Sequence, residues 1–316
     1  MTVIVQSNLL CALPPLDYSA AILLSDREVF DRYGPRVIAQ LPFKCEVFLV
    51  PQGEAGKELA VARACWEKME GLDHQSVVIT LGGGAICDLG GFVASTFMRG
   101  IGLIHIPTTL LAMVDAAIGG KNGLNLGGKN RIGTVYEAKG VMVDPEVLKT
   151  LPEEEIRAGM AEVVKIGMVA DPHLLEMEEM VSIIERSIRL KERIVREGRR
   201  TLLNWGHTFA HALEALMGYR IRHGEAVAIG MGWAARLSVA MGLAGPELIE
   251  VQEGALRRRG ISVALPKVDG ERMVELMARD KKGRGGKVAC VVSRGVGMME
   301  LNPEVDKKLI REILAL

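Results

Sequence analysis

The sequence predicts a two-part protein, an α/β half with a Rossmann-like parallel sheet over residues 1–150 and an all-α half over 151–316. Two observations carry this. In the first half, short β-branched runs alternate with helical patterns, which argues for a parallel, doubly wound sheet. From Pro152 onward the strand pattern nearly vanishes and long helical patterns take over. A chain of 316 residues is long enough for two such domains and a sizeable core.

In order along the chain, strands are expected at 21–25, 47–50, 77–81 and 103–106, with helical patterns at 56–69 and 88–97 between them. The boundary falls at Lys149-Thr150-Leu151-Pro152, where proline suits the first turn of a helix. Helices are then expected at 153–170, 173–196, 202–217, 225–241, 246–259 and 270–280. The runs 288–292 and 298–301 can form a hairpin across 293–297. Such an arrangement predicts a site in the cleft between the two halves.

Composition narrows the function classes. Lysine plus arginine and aspartate plus glutamate both total 39, so nothing global argues for nucleic acid or an anionic membrane. Any preference for an anionic ligand must be local. The five cysteines (Cys11, Cys45, Cys65, Cys87, Cys290) are odd in number, scattered and without C-x-x-C. That pattern suggests buried thiols in a reducing compartment. No basic region with a long apolar run opens the chain, so no signal peptide is expected. The stretch 226–245 approaches membrane length but carries Arg236 and Ser238. A buried helix pair is expected there, and the cytoplasm is the default location.

The densest chemistry lies in 200–230, RTLLNWGHTFAHALEALMGYRIRHGEAVAIG. If its first half is helical, Arg200, Asn204, His207, His211 and Glu214 share one face. Leu202, Leu203, Trp205, Phe209 and Leu213 surround that polar stripe with apolar side chains. Unpaired buried polar groups cost about 1–3 kcal/mol each, so the stripe must face something wet, ionic or metallic. Three of the six histidines, His207, His211 and His223, sit within 17 positions. An i, i+4 histidine pair can be two ordinary satisfied histidines. A third histidine and a carboxylate elsewhere in the chain favour a metal.

At Leu81-Gly82-Gly83-Gly84-Ala85 a strand runs through three glycines into a helix. Glycines let backbone approach a phosphate, and the helix start offers unpaired N–H groups. A tight strand–helix turn is the plainer alternative. Asp88 follows near the helix start, a position suited to a capping residue. Farther on, Thr108-Thr109 leads to Asp115 and to Gly119-Gly120-Lys121, and Gly127-Gly128-Lys129-Asn130 repeats the glycine–lysine composition. Such turns suit phosphate oxygens. Glu162 and Lys165 are three apart in AEVVKIG, whose other side chains are too apolar for a solvated face. Lys191 takes a core-face position in the series Ile184, Ile188, Lys191, Val195, either snorkelling outward or entering the site.

AEVVKIG, LNWGHTFAHALE and HGEAVAIGMG, together with GGGAICDLGGF and VDAAIGGKNGLN, resemble the 3-dehydroquinate synthase family of sugar-phosphate cyclases from about residue 20 to about 300. The resemblance implies a lyase of the shikimate pathway of aromatic amino acid biosynthesis. The family converts 3-deoxy-D-arabino-heptulosonate 7-phosphate to 3-dehydroquinate and phosphate. NAD transiently oxidises a ring hydroxyl, phosphate is eliminated, the ketone is reduced again, and an intramolecular aldol closes the ring. The resemblance further implies a homodimer holding one zinc per subunit, with cobalt or another divalent metal as a substitute. By motif position the metal ligands are Glu162, His207 and His223. A carboxylate and two imidazoles leave room for substrate oxygens.

The same resemblance puts Lys121 and Arg200 near the substrate carboxylate, and Lys165, Lys191 and Asn204 near its hydroxyls. Asn130, His211 and Lys281 or Lys282 are put near the phosphate, with Arg99 supplied by the dimer mate. For NAD it implies Asp26, Glu54, Lys57, Gly82, Gly83, Gly84, Asp88, Thr108, Thr109, Asp115, Lys129, Thr150, Leu151 and Glu155. Spacing alone would pair His207 with His211 on the metal, whereas the family pattern pairs His207 with His223. The chain departs from that pattern between Lys121 and Lys129, where one residue and the usual proline are missing, and in a shortened 191–200 segment. Three alternatives frame the reading: a related cyclase acting on another sugar phosphate, a polyol or glycerol-phosphate dehydrogenase, and an NAD-binding protein without activity. Retention of Lys191, Asn204 and Arg200 argues against the first, the Glu162, His207, His223 set with GHTFAHALE against the second, and the presence of every ligand and phosphate lysine against the third.

Overall fold

The structure, a computed structural model, describes residues 1–278 and 288–315. Lys281 and Lys282 lie outside the described residues. The chain divides into two compact units, Met1–Ile156 and Arg157–Leu316.

The first unit contains strands β1 (Thr2–Val5), β2 (Ala20–Ser25), β3 (Lys44–Leu49), β4 (Val77–Gly82), β5 (Gly102–Pro107), β6 (Lys121–Leu124), β7 (Ile132–Val135) and β8 (Gly140–Val143). Its helices are α1 (Arg27–Ile38), α2 (Leu59–Lys68) and α3 (Gly84–Thr96). Six strands form one sheet in the order β1-β8-β5-β4-β2-β3, every neighbouring pair parallel. A parallel sheet needs both faces covered, and β4 is accordingly buried at every residue. The chain steps from β2 outward to β3, then returns past β2 to β4. That reversal puts the topological switch point at the carboxyl ends of β2 and β4, where open α/β sheets bind ligands. Ser25 and Asp26 end β2 there, and Gly82 ends β4.

The four expected strands form within a few residues of their expected ends. Four strands and a helix were not expected. β6 and β7 form a separate antiparallel pair, with Lys121 opposite Val135 and Leu124 opposite Ile132. Their KNGL and IGTV sequences are poor in strand formers, so pairing and packing decide their state. Helix α1 carries Pro35 and Gly34 in its interior. Both weaken a helical pattern, yet Asp26 caps the start by accepting from the Val29 amide at 3.0 Å.

The second unit contains α4 (Glu153–Ala170, which begins in the first), α5 (Met180–Arg196), α6 (His207–Leu216), α7 (His223–Ala240), α8 (Glu247–Arg258), α9 (Gly270–Ala278) and α10 (Lys307–Leu314). A β-hairpin of β9 (Val288–Ser293) and β10 (Met299–Val305) lies between α9 and α10, as the sequence predicts. None of the described helices is long and apolar enough to cross a membrane. Two expected helices prove to be broken. The 173–196 helix is a 3-10 turn, Pro172–Leu175, followed by α5, whose start Glu179 caps by accepting from the amides of Val181 and Ser182. The 202–217 helix is a 3-10 turn, Arg200–Asn204, followed by α6. Gly206 separates them at φ +76, a left-handed conformation. A Cβ there would lie 2.6 Å from the Met231 amide nitrogen, so glycine is required on two counts.

His105 on β5 is the buried ionisable group of the sheet. It is 2 % exposed, and its Nδ1 pairs with the Thr80 hydroxyl at 2.7 Å. Burial pushes its pKa down to about 4 from 6.5. The folded state therefore resists a proton that the unfolded state takes up, so stability falls as pH drops from about 6.5 toward 4. Between pH 7.5 and 5 this group removes about 2 kcal/mol. Urea unfolding at the two pH values should show a smaller drop for His105→Gln than for the unaltered chain. Equal drops would mean that His105 plays no part in the acid sensitivity.

Candidate functional site

In the second unit, three helices each present one side chain to a common point. Glu162 comes from the middle of α4, His207 from the first residue of α6 and His223 from the first residue of α7. His207 Nε2 lies 3.6 Å and His223 Nε2 3.3 Å from Glu162 Oε1. One donor atom from each residue falls within 4.8 Å of the others. Ligands about 2.1 Å from a tetrahedral metal stand about 3.4 Å apart, so both distances suit one ion.

The break at Gly206 makes His207 start a helix, and a second glycine brings α7 in close. A Cβ on Gly224 would sit 2.3 Å from the Cα and carbonyl oxygen of Ala158 on α4, so the helix start next to His223 can approach α4 only with glycine there. Each imidazole is also oriented by its other nitrogen. His207 Nδ1 lies 3.2 Å from the Trp205 carbonyl, and His223 Nδ1 lies 3.2 Å from Glu214 Oε1. An Nδ1–H donated to these acceptors leaves the Nε2 lone pair toward Glu162, the usual tautomer of a metal-ligating histidine. Trp205 is held in turn by its indole N–H, which donates to Gln252 Oε1 at 2.8 Å.

The electrostatics fit a cation. Glu162 is fully buried, and its carboxylate faces the Lys165 ammonium and the two imidazoles. The Lys165 ammonium, 1 % exposed, meets Oε2 in an ion pair. Burial alone would raise the Glu162 pKa, but Lys165, His207 and His223 hold it well below the ordinary carboxylate range. Burial and the Lys165 charge push His207 down to about 3, so it is neutral. Burial works the same way on His223, yet hydrogen bonds to Glu162 and Glu214 raise it to about 9. A site that draws a proton onto His223 has negative charge to offer, and a divalent ion satisfies the same carboxylate. These residues fit a metal.

His211 sits one turn beyond His207 on α6, with ring centroids 5.4 Å apart, and is exposed. The cluster of mutually close donors contains His223, and His211, four residues after His207, is not part of it. Arg200 and Asn204 belong to the 3-10 turn before the break and do not share a helix with His207. Asn204 donates to the Thr201 carbonyl at 2.7 Å. Lys191 is buried on α5, as its core-face position predicts. Glu214, 2 % exposed, stood on the predicted stripe without a role. Its contact with His223 supplies one, and spacing within one helix could not reveal a partner on the next.

The first unit gathers a second set. Gly82 ends β4, Gly83 precedes α3 and Gly84 begins it. The would-be Cβ atoms of Gly83 and Gly84 meet Thr109 and Ala116 at 3.2 Å, so the glycine turn packs against the segment that carries Thr108, Thr109 and Asp115. Thr108 donates its amide to the Gly82 carbonyl at 2.9 Å. Beside this turn Lys57, 3 % exposed, donates to Asp88 at 2.6 Å and to Asn130 Oδ1 at 2.5 Å. Burial raises the Asp88 pKa against the opposing pull of Lys57. Glu54 stands 4.0 Å from Lys57 and 3.4 Å from Lys129. Asn130, at φ +52, packs over Gly123, whose Cβ would lie 2.7 Å from Asn130 Oδ1. Residues assigned separately to NAD and to phosphate thus form one charged cluster.

Asp26 is taken up in capping α1. The Thr150 hydroxyl pairs with Tyr33 at 2.7 Å, and Leu151 and Glu155 follow at the start of α4. Lys121 begins β6 and is exposed. Arg99 is exposed, and it follows Met98 in two consecutive left-handed non-glycine conformations, φ +69 and +48. Such strain persists only where the surroundings impose it.

Two family profiles match the chain in succession, "3-dehydroquinate synthase N-terminal" over residues 47–158 and "3-dehydroquinate synthase C-terminal" over 159–283. Among relatives, the 3-dehydroquinate synthase of Synechococcus sp. is 40% identical over 321 aligned positions, covering 93% of this chain and 87% of the relative. That of Nostoc punctiforme is 39% identical, covering 93% and 88%. Among solved structures, 2-deoxy-scyllo-inosose synthase in complex with carbaglucose-6-phosphate, NAD+ and Co2+ superposes with a TM-score of 0.90 at 26% identity, over 99% of this chain and 96% of the other. A 2-epi-5-epi-valiolone synthase from Streptomyces hygroscopicus subsp. jinggangensis, with NAD+ and Zn2+ bound, superposes with a TM-score of 0.88 at 26% identity, over 99% and 95%. With the two profiles matched over residues 47–283 and relatives near 40% identity across nine-tenths of its length, the chain belongs to the 3-dehydroquinate synthase family.

Proposed function

We propose that the chain converts 3-deoxy-D-arabino-heptulosonate 7-phosphate to 3-dehydroquinate and phosphate, the lyase step of the shikimate pathway named by its relatives. One observation carries the mechanism: a buried carboxylate with two oriented imidazoles and a lysine in contact, in a chain whose other unit presents a glycine turn at a sheet switch point. Glu162, His207 and His223 would hold a divalent metal, zinc or cobalt. Gly82, Gly83, Gly84, Thr108, Thr109, Asp115 and the Glu54, Lys57, Asp88, Lys129 cluster would hold NAD, with Thr150, Leu151, Glu155 and Asp26 at its margins. Domain roles follow, nucleotide in the first unit and metal with substrate in the second. When bound, NAD accepts and returns a hydride, and the metal acts as a Lewis acid on substrate oxygens.

The protein's own side chains supply position and charge. Lys165 keeps Glu162 ionised and places an ammonium beside the donor cluster, within reach of a substrate hydroxyl. Lys191, Arg200, Asn204 and Lys121 would fix the remaining hydroxyls and the carboxylate. His211, exposed next to His207, and Asn130 would meet the leaving phosphate. Arg99 would act across a homodimer, which accounts for its strained, outward conformation. We place the reaction in the cytoplasm, in keeping with five scattered cysteines and no C-x-x-C pair in the sequence.

Hydride is returned within the cycle, so turnover should require NAD and a divalent metal yet accumulate no NADH. Phosphate release followed together with absorbance of the reduced nucleotide tests this. Stoichiometric NADH would instead mark a dehydrogenase.

The two histidines of α6 should separate cleanly. His207→Ala removes a metal donor, so metal should be lost on dialysis and activity with it. His211→Ala should keep about one metal per chain and lose on the order of 10²–10⁴-fold in turnover, the usual contribution of a positioned proton-transfer group. Elemental analysis of both variants decides. Metal lost from His211→Ala and kept by His207→Ala would return the assignment to the i, i+4 pair.

Glu214 makes a third test. Glu214→Ala should weaken metal binding by about 10–100-fold, as loss of a group orienting a ligand does. Glu214→Gln, which keeps an acceptor for His223 Nδ1–H, should recover most of it. Equal metal affinity in all three proteins, measured by competition with a chelator, would show that His223 needs no carboxylate behind it.

A further inference from the structure

Two loops of the first unit carry the charged cluster, the 3-10 turn Gly53–Lys57 and the segment 125–130 between β6 and β7. Neither is a regular element, so something outside helix and ladder bonding must hold Glu54, Lys57, Lys129 and Asn130 at fixed positions. Lys57 and Asn130 touch directly. Lys129 stands 3.4 Å from Glu54 across the same two loops. Several further hydrogen bonds run through Asn125, which sequence reasoning left without a role.

Asn125 uses its backbone and both ends of its side chain. Its amide donates to the Lys57 carbonyl at 2.8 Å. Its side-chain Nδ2 donates to the Glu54 carbonyl at 3.2 Å and to Glu54 Oε2 at 3.0 Å. Its Oδ1 accepts the Asn130 amide at 3.0 Å. The last bond holds the backbone of a residue at φ +52, a conformation that most side chains avoid and that needs a local tie to persist. The second steadies a carboxylate that is half exposed and would otherwise sample several rotamers. An amide is the one side chain offering donor and acceptor at these two ends.

We propose that Asn125 is a positioning residue that locks the turn carrying Glu54 and Lys57 to the loop carrying Lys129 and Asn130, so that the nucleotide side and the phosphate side of the site are set together. This rests on the assignment of Glu54 to NAD and of Asn130 to phosphate. Asn125 touches neither ligand in this account. It acts through the Glu54 carboxylate and the Asn130 backbone.

Three variants of the full chain test the proposal. NAD affinity is read by titration calorimetry, KM for the heptulosonate phosphate by phosphate release, and folding by thermal melting. Asn125→Ala should raise both the NAD Kd and the KM by about two- to tenfold, the worth of a lost hydrogen bond on each side. Asn125→Asp keeps the acceptor for the Asn130 amide but sets a second negative charge against Glu54. It should raise the NAD Kd while the KM stays near that of the unaltered chain, and it decides the matter alone if the alanine variant does not fold. Equal losses in Kd and KM for both variants, tracking a lower melting temperature, would reduce Asn125 to loop stability and overturn the proposal. Glu54→Gln is the control. If it weakens NAD binding while Asn125→Ala does not, the positioning role fails alone. If it leaves NAD binding unchanged, the nucleotide assignment fails and takes the proposal with it.

Discussion

Much of the second unit follows from burying one ionised carboxylate. An unpaired buried carboxylate loses several kcal/mol of hydration, so Glu162 at zero exposure needs cations held rigidly around it. Lys165, one turn away on α4, is the first, and a protonated His223 or a divalent ion is the second. Supplying them dictates the local architecture. The start of α7 must lie against the middle of α4, which Gly224 permits by letting backbone touch backbone at Ala158. The chain must also break before His207, which Gly206 permits at φ +76. The apolar residues of AEVVKIG then seal the charge from water, and its electrostatic pull strengthens as the dielectric falls.

The first unit solves a related problem with less burial. Lys57 is almost wholly enclosed, and Asp88 and the Asn130 amide oxygen take its donors. The arrangement stands beside the carboxyl end of β4, where the strand order reverses and where helix α3 begins with unpaired amides. The charges of the cluster stand in opposed pairs, Lys57 with Asp88 and Lys129 with Glu54. In each unit a lysine is buried against a carboxylate.

The parts of the fold legible in the sequence were those written as pattern. β2 and β4 are continuous apolar runs, and the long amphipathic helices after Pro152 repeat at helical spacing. β6 and β7 were illegible because Lys-Asn-Gly-Leu has no strand propensity, and its state depends on pairing with Ile132–Val135 and packing on α3. The break at Gly206 was illegible for a different reason. A glycine inside a helical pattern is ordinarily tolerated, and only the approach of Met231 from α7 makes it a stop. Glu162, His207 and His223 stand in motifs of the sequence, and the structure brings their donor atoms together. Glu214 and Asn125 stand in motifs too, but their contacts with His223 and Glu54 were not legible, since spacing does not place those partners beside them.

The histidine pair of α6 makes the same point in chemical terms. Spacing i, i+4 guarantees that two side chains share a face, and His207 and His211 do lie 5.4 Å apart. It does not determine which nitrogen carries a proton or what the other nitrogen faces. Those follow from acceptors behind the ring. His207 has the Trp205 carbonyl, itself anchored by Gln252, and His223 has the Glu214 carboxylate. Each acceptor turns an Nε2 lone pair toward Glu162. The donor cluster draws one side chain from each of three helices. Its geometry therefore depends on how closely the helices pack, and a chelate within one helix would not depend on that. The two close-approach glycines are as much a part of the centre as the donors they bring together.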